Sequence, residues 1–483
     1  MRQVTLFEHQ SVPYETFGED RLEQILSDLE KLNAASGSEL FRLGRTRLQA
    51  TQIVGVVQLP DLIIEVLPKI DYELSGVPGS GTPVRDREFE SAARNLLHLL
   101  SYTHNIRFHH EDLAHLKTQR SSWLELLTAI FARDLHRQVQ RGLIRGYVRI
   151  EETLPLIRGR WLVAQQLSRR PHVRHEFDLQ YDEFSPDNPL NRVFKYVVEA
   201  LLRLTRSPSN RTLLLDLQAW LSEVATPAGP PLAELDAVVF TRLNEHFRPS
   251  FNLARMFIEH AVIRLSAGKR QTFAFMFDMN ILFERFVAGF LQRHRPTVFT
   301  GLDPPNIREQ NQGRSRYLAR RMPDGVEQFR LRPDLLLEDR RRLPLLIVDT
   351  KYKQLDPGTR NMGISEADAY QMLAYSAAFE CPSALLLYPQ SGHSAEFAEV
   401  HTTNTGIRMF ASVAGSGDLD PRECQRFIES HYRESGIGHR QDLRGKNLDP
   451  AARSAAWLMG HSGGHVRPLF PAVEFDNDRE ETA

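Results

Sequence analysis

Apolar residues recur at helical spacing through DRLEQILSDLEKL (20–32), where Leu22, Ile25, Leu26, Leu29 and Leu32 share one face. The pattern then shortens to branched runs. QIVGVVQL and LIIEVLPKI, separated by Pro60-Asp61, predict a β-hairpin. GVPGSGTP (76–83) has the composition of a flexible linker. Helical periodicity dominates 88–145, most clearly in RNLLHLLSYTH and SSWLELLTAIFARDLHRQVQRG. Strands are expected in 146–182 around RGRW (158–161), followed by helices over 188–205 and near 211–224 and a break at TPAGPP (226–231). Further helices are predicted over about 248–267 and through FAFMFDMNILFERFVAGFLQRH (273–294). Strands over 328–337 and 343–353, a helix over 365–380 and a strand over 383–388 complete the regular pattern. From about 401 the chain reads as irregular, and its acidic end, FDNDREETA, as disordered.

This order predicts an α+β or α/β multi-domain protein. Four segments are expected: 1–75, mixed with a β-hairpin; 84–230, mainly helical; 235–400, a compact α/β domain; and 401–483, a partly disordered extension. No internal repeat interrupts the sequence.

Composition narrows the picture only slightly. The 483 residues are 41% hydrophobic and 25% charged, an ordinary globular balance with ample length for a core. The net charge of −1 excludes a uniformly basic nucleic-acid binder, so any contact with nucleic acid must be local or come through a partner. Eight of the 60 basic residues are lysine, leaving arginine as the dominant cation. Two cysteines, Cys381 and Cys424, are too few for a disulfide framework or a structural zinc site and fit a reducing, cytoplasmic setting. No apolar run suits a signal peptide or a membrane span.

The chemistry concentrates near LPLLIVDTKYKQ (343–354), a buried-strand pattern that runs straight into Asp349, Thr350 and Lys351. Alternation along a strand puts Asp349 and Lys351 on one face. Upstream, in FRLRPDLLLED, Pro333-Asp334 opens a second apolar run, and the short turn DRRRLP (339–344) makes the two strands antiparallel neighbours. Asp334 and Asp349 then come within reach of one ion. Two carboxylates, the Thr350 backbone carbonyl and waters suit Mg²⁺. Lys351 beside it would orient water and stabilise developing negative charge. Glu284 interrupts an apolar stripe formed by Phe277, Ile281, Ala288 and Leu291, and a lone acid there needs a metal, Lys351 or an arginine as partner. In SEADAYQMLAYSAAF (365–379), Ser365 and Asp368 form an N-cap pair, while Gln371 and Tyr375 share a face at i, i+4.

Glu on a helix, Pro-Asp, Asp-x-Lys and Gln-x-x-x-Tyr, in that order, resemble the PD-(D/E)xK nuclease superfamily, with QMLAY similar to its RecB-like branch. VDTKYK, MNILFERFV, ADAYQMLAY, NPLNRVFKYVVEAL and IIEVLPKI together resemble the McrC family, the nuclease subunits of modification-dependent McrBC restriction systems. The resemblance spans about 50–390 and leaves 401–483 unmatched. It implies a restriction-endonuclease-like domain that cleaves modified double-stranded DNA using Mg²⁺ or Mn²⁺. Asp334, Asp349, Thr350 and Glu284 would be metal ligands, Lys351 the catalytic lysine, and Gln371 an auxiliary catalytic residue beside Glu284. It also implies a partner, a hexameric McrB-like AAA+ GTPase that docks on the region before the nuclease domain and is stimulated by it. Two other functions compete: a non-catalytic activator of that GTPase, and a RecB-like repair nuclease working alone.

The remaining signals refine this reading. No GxxxxGK[S/T] loop occurs, so this chain is not expected to bind nucleotide itself. Residues 306–345 hold ten arginines against six acids, a local surplus that suits phosphate contacts. RFHHEDLAH (107–115) spaces His110 and His115 by five residues, not the four of a helical zinc pair, and GHSGG (460–464) lacks the strand–turn–helix setting of a nucleophile elbow.

Overall fold

The computed structural model describes residues 2–18, 21–68, 86–106, 122–168, 176–266, 270–299, 304–310, 315–353, 355, 359–381, 383–389, 398–402 and 408–414. The linker 76–83, the segment 107–115, Cys424, GHSGG and the acidic end lie outside them. The chain folds as two compact units, one formed by 1–103 with 276–483 and the other by 104–275. The segments read from composition are contiguous; the first unit joins both parts of the chain that flank the second.

The first unit begins with β1 (Arg2–Phe7), α1 (Leu22–Ser36), β2 (Ile53–Gln58) and β3 (Leu62–Leu67). β2 and β3 form the antiparallel hairpin expected around Pro60-Asp61, and β1 adds parallel to β3. α1 carries the predicted stripe, with Leu29 and Leu32 fully buried, and ends at Gly37 in the left-handed conformation that closes many helices. α2 (Asp86–Thr103) follows.

The second unit contains α3 (Trp123–Val139), a three-stranded sheet of β4 (Gly146–Leu154), β5 (Arg160–Trp161) and β6 (Phe177–Ser185), and the helices α4 (Pro189–Leu204) and α5 (Pro208–Trp220). β4 and β5 both pair antiparallel with β6. The RGRW stretch makes this sheet possible. Gly159 adopts φ +70°, and a Cβ there would lie 2.5 Å from Tyr181 Cβ and 2.6 Å from the Gln180 carbonyl. NPLNRVFKYVVEAL is a capped helix start. Asn188 accepts from Asn191 N at 3.1 Å, Pro189 takes the first turn, and Arg192 grips Asp187 with two bonds of 2.7 and 2.8 Å.

Two corrections concern the end of this unit. The helix expected over 248–267 stops early: α6 is Arg248–His260, and AVIRLS forms β7 (Ala261–Ser266), which pairs with β8 (Arg270–Asp278). Val262 and Ile263 favour the pleated state, and a neighbouring strand decides it. The helix expected over 273–294 likewise begins only at Met279, because its first six residues belong to β8, and the boundary between the units falls within that strand.

The chain re-enters the first unit as α7 (Met279–Arg293), capped by Asp278, which accepts from Asn280 N at 2.8 Å. α7 packs closely on α2: a Cβ at Gly289 would stand 2.9 Å from the Tyr102 carbonyl. β9 (Asn306–Glu309), a hairpin of β10 (Arg316–Arg320) and β11 (Glu327–Leu331), β12 (Leu335–Glu338), β13 (Pro344–Thr350), α8 (Glu366–Phe379), β14 (Ser383–Pro389), β15 (Ala398–Thr402) and β16 (Arg408–Ala414) follow. Six of these strands make one sheet in the order β9-β12-β13-β14-β16-β15. β12 and β13 are antiparallel, as their short turn predicts, while β13, β14 and β16 run parallel, with α8 connecting β13 to β14.

Two further expectations change here. The strand expected over 328–337 is two strands in two sheets. Phe329 has φ +59°, and Pro333 offers no N–H to a ladder, so the run breaks before Asp334. RMFASVA, read as part of an irregular tail, is β16, an interior strand of the main sheet.

Candidate functional site

Asp334 precedes β12, and Thr350 ends the neighbouring strand β13. Antiparallel pairing of Leu335 with Val348 places Asp334 and Asp349 at the same end of the sheet. The Asp334 carboxylate accepts from Thr350 N and Thr350 Oγ1, both at 2.7 Å, which fixes its orientation. Asp349 is 1% exposed, and its carboxylate is ion-paired with Lys351 Nζ. The Lys351 backbone N–H continues the parallel ladder to the Leu387 carbonyl at 2.8 Å, so the strand frame extends through the Asp-x-Lys motif.

Lys351 is held from α8 as well. Its ammonium donates to Gln371 Oε1 at 2.9 Å; Gln371 Nε2 donates to Tyr375 Oη at 2.7 Å; and Tyr375 Oη donates to the Arg332 carbonyl at 3.0 Å. This relay ends two residues before Asp334. Burial pushes the Tyr375 phenol up to about 12, so it remains a donor at neutral pH. Ser365 caps α8 as expected, accepting from Asp368 N at 3.2 Å, and Asp368 also receives Lys353 Nζ at 3.0 Å.

The electrostatics are those of crowded, buried acids. Burial, then the charge of Asp334, raises the Asp349 carboxyl to about 7 despite Lys351. Burial raises Asp334 too, against the hydrogen bonds from Thr350. Glu284 is raised by burial and then by Asp334, which places it in the same field.

Asp334, Asp349, Thr350, Lys351 and Gln371 are therefore brought together. Glu284 stands at the edge of the group, but not for the reason its stripe suggested. α7 starts at Met279, so Phe277 belongs to a strand, and Ile281 is exposed. Its partner is Gln310, whose Nε2 donates to Glu284 Oε1 at 2.8 Å and whose backbone N–H donates to the Asp334 carbonyl at 2.7 Å. Gln310 carried no signal in the sequence, because it follows a short strand in a polar loop. Lys353 was visible in TKYK but gained a role only when α8 brought Asp368 to it.

The donor set fits a hard divalent cation. Mg²⁺ is commonly bound through one or two carboxylates with several waters retained. Asp334, raised by burial, and Asp349, raised by burial and then by the charge of Asp334, both gain from a cation beside them. Glu284, Asp334 and Asp349 do not form a three-ligand cage; among the described residues, only His104, Glu259 and His260 bring three donor atoms within 4.8 Å of one another.

The arginines of 306–345 do not act as one patch. Arg340, Arg341 and Arg342 lie in the β12–β13 turn, at the opposite end of those strands from Asp334 and Asp349. Arg308 pairs with buried Glu338 at 3.0 Å, Arg320 with Glu327 at 3.6 Å and Arg321 with Asp324 at 2.5 Å. Arg314 lies outside the described residues. No acid among the described residues pairs with Arg316, Arg330 or Arg332, all of them exposed on or beside the β10–β11 hairpin.

Among the described residues, no helix is long and apolar enough to cross a membrane. No curated protein matches the chain. Among solved structures, a chain of a refined half-complex from the tetradecameric assembly of Thermococcus gammatolerans McrB AAA+ hexamers with bound McrC is similar at TM-score 0.61 and 22% identity. The match covers 89% of this chain and 99% of that one. A chain of the Thermococcus gammatolerans McrBC complex matches at TM-score 0.43 and 25% identity, covering 60% of this chain and 88% of that one. The profile of the McrBC 5-methylcytosine restriction system component family matches residues 48–389, and the family expected from VDTKYK and its companion motifs is borne out. By that match over most of its length, the chain belongs to the family of McrBC 5-methylcytosine restriction system components.

Proposed function

We propose that this chain is the nuclease subunit of its restriction system, a PD-(D/E)xK-type endonuclease that hydrolyses phosphodiesters of modified double-stranded DNA. The observation that carries this reading is the assembly of Asp334, Asp349, Lys351 and Gln371 at the ends of two adjacent strands and one helix face. Asp334 and Asp349 would hold Mg²⁺, with Mn²⁺ as a substitute. Bound there, the ion would neutralise phosphodiester charge and increase the acidity of water.

The chain's own residues do the positioning. Thr350 fixes the rotamer of Asp334, and Gln371 holds Lys351 Nζ toward Asp349. The ammonium places positive charge beside the phosphate oxygens as water attacks phosphorus and one P–O ester bond breaks. Gln310 holds Glu284 at the rim, where the raised carboxyl can accept a proton from incoming water.

The partner in this reading is a McrB-like AAA+ GTPase. The sheet β4-β6-β5 supports docking of a protein: Tyr147 and Phe184 on its strands, and Leu156 and Ile157 in the β4–β5 connection, are all more than half exposed. Co-purification with a McrB-like AAA+ GTPase, followed by assay on methylated plasmid with GTP and Mg²⁺, tests both halves. Wild type should cleave and Asp349→Ala should not, while both stimulate GTP hydrolysis. Undiminished cleavage by Asp349→Ala would remove the site assignment. Stimulation with no cleavage by either protein would leave an activator subunit.

A further inference from the structure

The β10–β11 hairpin is a two-stranded ribbon exposed along nearly its whole length. Only Tyr317 and Gln328 are half buried, beside α8, and Leu331 enters the core at the base. A two-stranded ribbon with this little cover is marginal in water by itself. This one nevertheless exposes Leu318 at 56%, Phe329 at 70% and Met322 at 81%. Phe329 is also held at φ +59°, a left-handed conformation that a bulky side chain adopts at a cost. The same ribbon carries Arg316 and Arg330, and Arg332 follows it, with no acid partner among the described residues.

We infer that this hairpin grips duplex DNA next to the scissile phosphate, an inference that rests on the nuclease reading above. Charge complementarity selects the occupant. The ribbon's two acids, Asp324 and Glu327, are taken up by Arg321 and Arg320, so Arg316, Arg330 and the following Arg332 remain as a net positive surplus beside exposed apolar side chains, which matches phosphates flanking base edges. The size also fits, because a two-stranded ribbon enters the major groove. Arg316 and Arg330 meet phosphates, and Phe329 and Leu318 meet apolar base edges. The hairpin's base is tied to the catalytic group: the Arg332 carbonyl accepts from Tyr375, which is joined through Gln371 to Lys351. DNA held by the ribbon is thereby placed in register with Asp334, two residues beyond Arg332.

The test is binding of the full-length chain to a fluorescent 30-base-pair duplex in Ca²⁺, read by anisotropy from 50 to 200 mM salt. Arg316→Ala and Arg330→Ala should each lower the slope of log K against log salt by about 0.9, the value for one lost phosphate contact. Arg341→Ala, at the far end of β12 and β13, should leave it unchanged. Phe329→Gly suits the left-handed backbone, so the urea midpoint should hold or rise, while affinity falls roughly 5-fold or more. Wild type that does not bind the duplex overturns the inference, as do equal slopes for all three arginine variants. Wild-type dimers that become monomers in Phe329→Gly, with DNA affinity unchanged, would assign the ribbon to self-association and overturn it too. Binding in Ca²⁺ needs no turnover, so the hairpin can fail while Asp349→Ala still abolishes cleavage, and the reverse outcome is equally readable.

Discussion

The two sheets that matter most here treat water in opposite ways. At the end of β13, Asp349 is 1% exposed, and every polar neighbour is fixed by a named partner. On β4 and β6, Tyr147 and Phe184 lean on each other at 5.2 Å between ring centroids, yet both stand in solvent. The first region buries charge, which is costly unless chemistry uses it. The second exposes apolar area, which is costly unless a partner covers it. Each breaks the usual rule of burial in its own direction, so the contrast separates the proposed catalytic site from the proposed docking surface.

The largest expected effect lies at the buried end. Lys351→Met keeps the stem and removes the charge, and cleavage by the assembled complex should fall by about 10²- to 10³-fold. Single-turnover cleavage of methylated DNA measures it. A loss below about threefold would make Lys351 a structural counter-ion and erase the catalytic side of the contrast.

The exposed sheet should respond in the other currency. Tyr147→Ser with Phe184→Ser removes two exposed rings, so the urea midpoint should move by no more than about 0.5 kcal/mol in stability. Stimulation of the partner GTPase should drop at least 10-fold, since aromatic anchors carry much of an interface's energy. Lost stability with intact stimulation would show that the rings support the sheet itself.

A pH titration sharpens the comparison within one molecule. The folded Asp349 carboxyl sits at about 7, above the ordinary value of 3.8. The folded state therefore holds its proton more tightly than the unfolded chain between those values. Its stabilising contribution is complete below about pH 4 and is lost as pH rises to 7. Each pH unit in that window is worth about 1.4 kcal/mol for one proton. Denaturation in EDTA should show wild type losing stability from pH 5 to 8, with Asp349→Asn losing less. Parallel curves would mean that Asp349 is ionised throughout. In wild type, added Mg²⁺ should restore stability at pH 8.

Much of the buried end was readable from sequence because local pattern and chemistry coincide there. An apolar strand that runs into Asp-x-Lys, preceded by Pro-Asp and a short turn, specifies two neighbouring strands and a shared end. The Ser365 cap and the Gln371–Tyr375 spacing were equally local. What stayed hidden depends on partners far along the chain. Gln310 acts through a loop with no periodicity. Ala261–Ser266 is a strand because Arg270–Asp278 pairs with it, although its apolar spacing continues a helix. Phe329 breaks a run that pattern alone reads as continuous. Ten nearby arginines looked like one basic patch, yet the fold sends three to the far turn and pairs three others with acids.

The relay through α8 gives the smallest effect and the most discriminating one. Tyr375→Phe removes only the donor to the Arg332 carbonyl and the acceptor for Gln371 Nε2. Each such hydrogen bond contributes on the order of 1 kcal/mol, so stability should fall by about 1–2 kcal/mol. If the relay only supports packing, cleavage and DNA affinity should follow stability and stay near wild type under native conditions. If it holds Lys351 in register with Asp334, turnover should fall about 3- to 10-fold at saturating DNA while affinity is unchanged, because misplacing a positioned group by a fraction of an ångström costs rate before binding. Gln371→Glu, which can still accept from Lys351, should keep more activity than Gln371→Leu, which cannot. Equal losses in those two variants would mean that Lys351 is positioned by Asp349 alone.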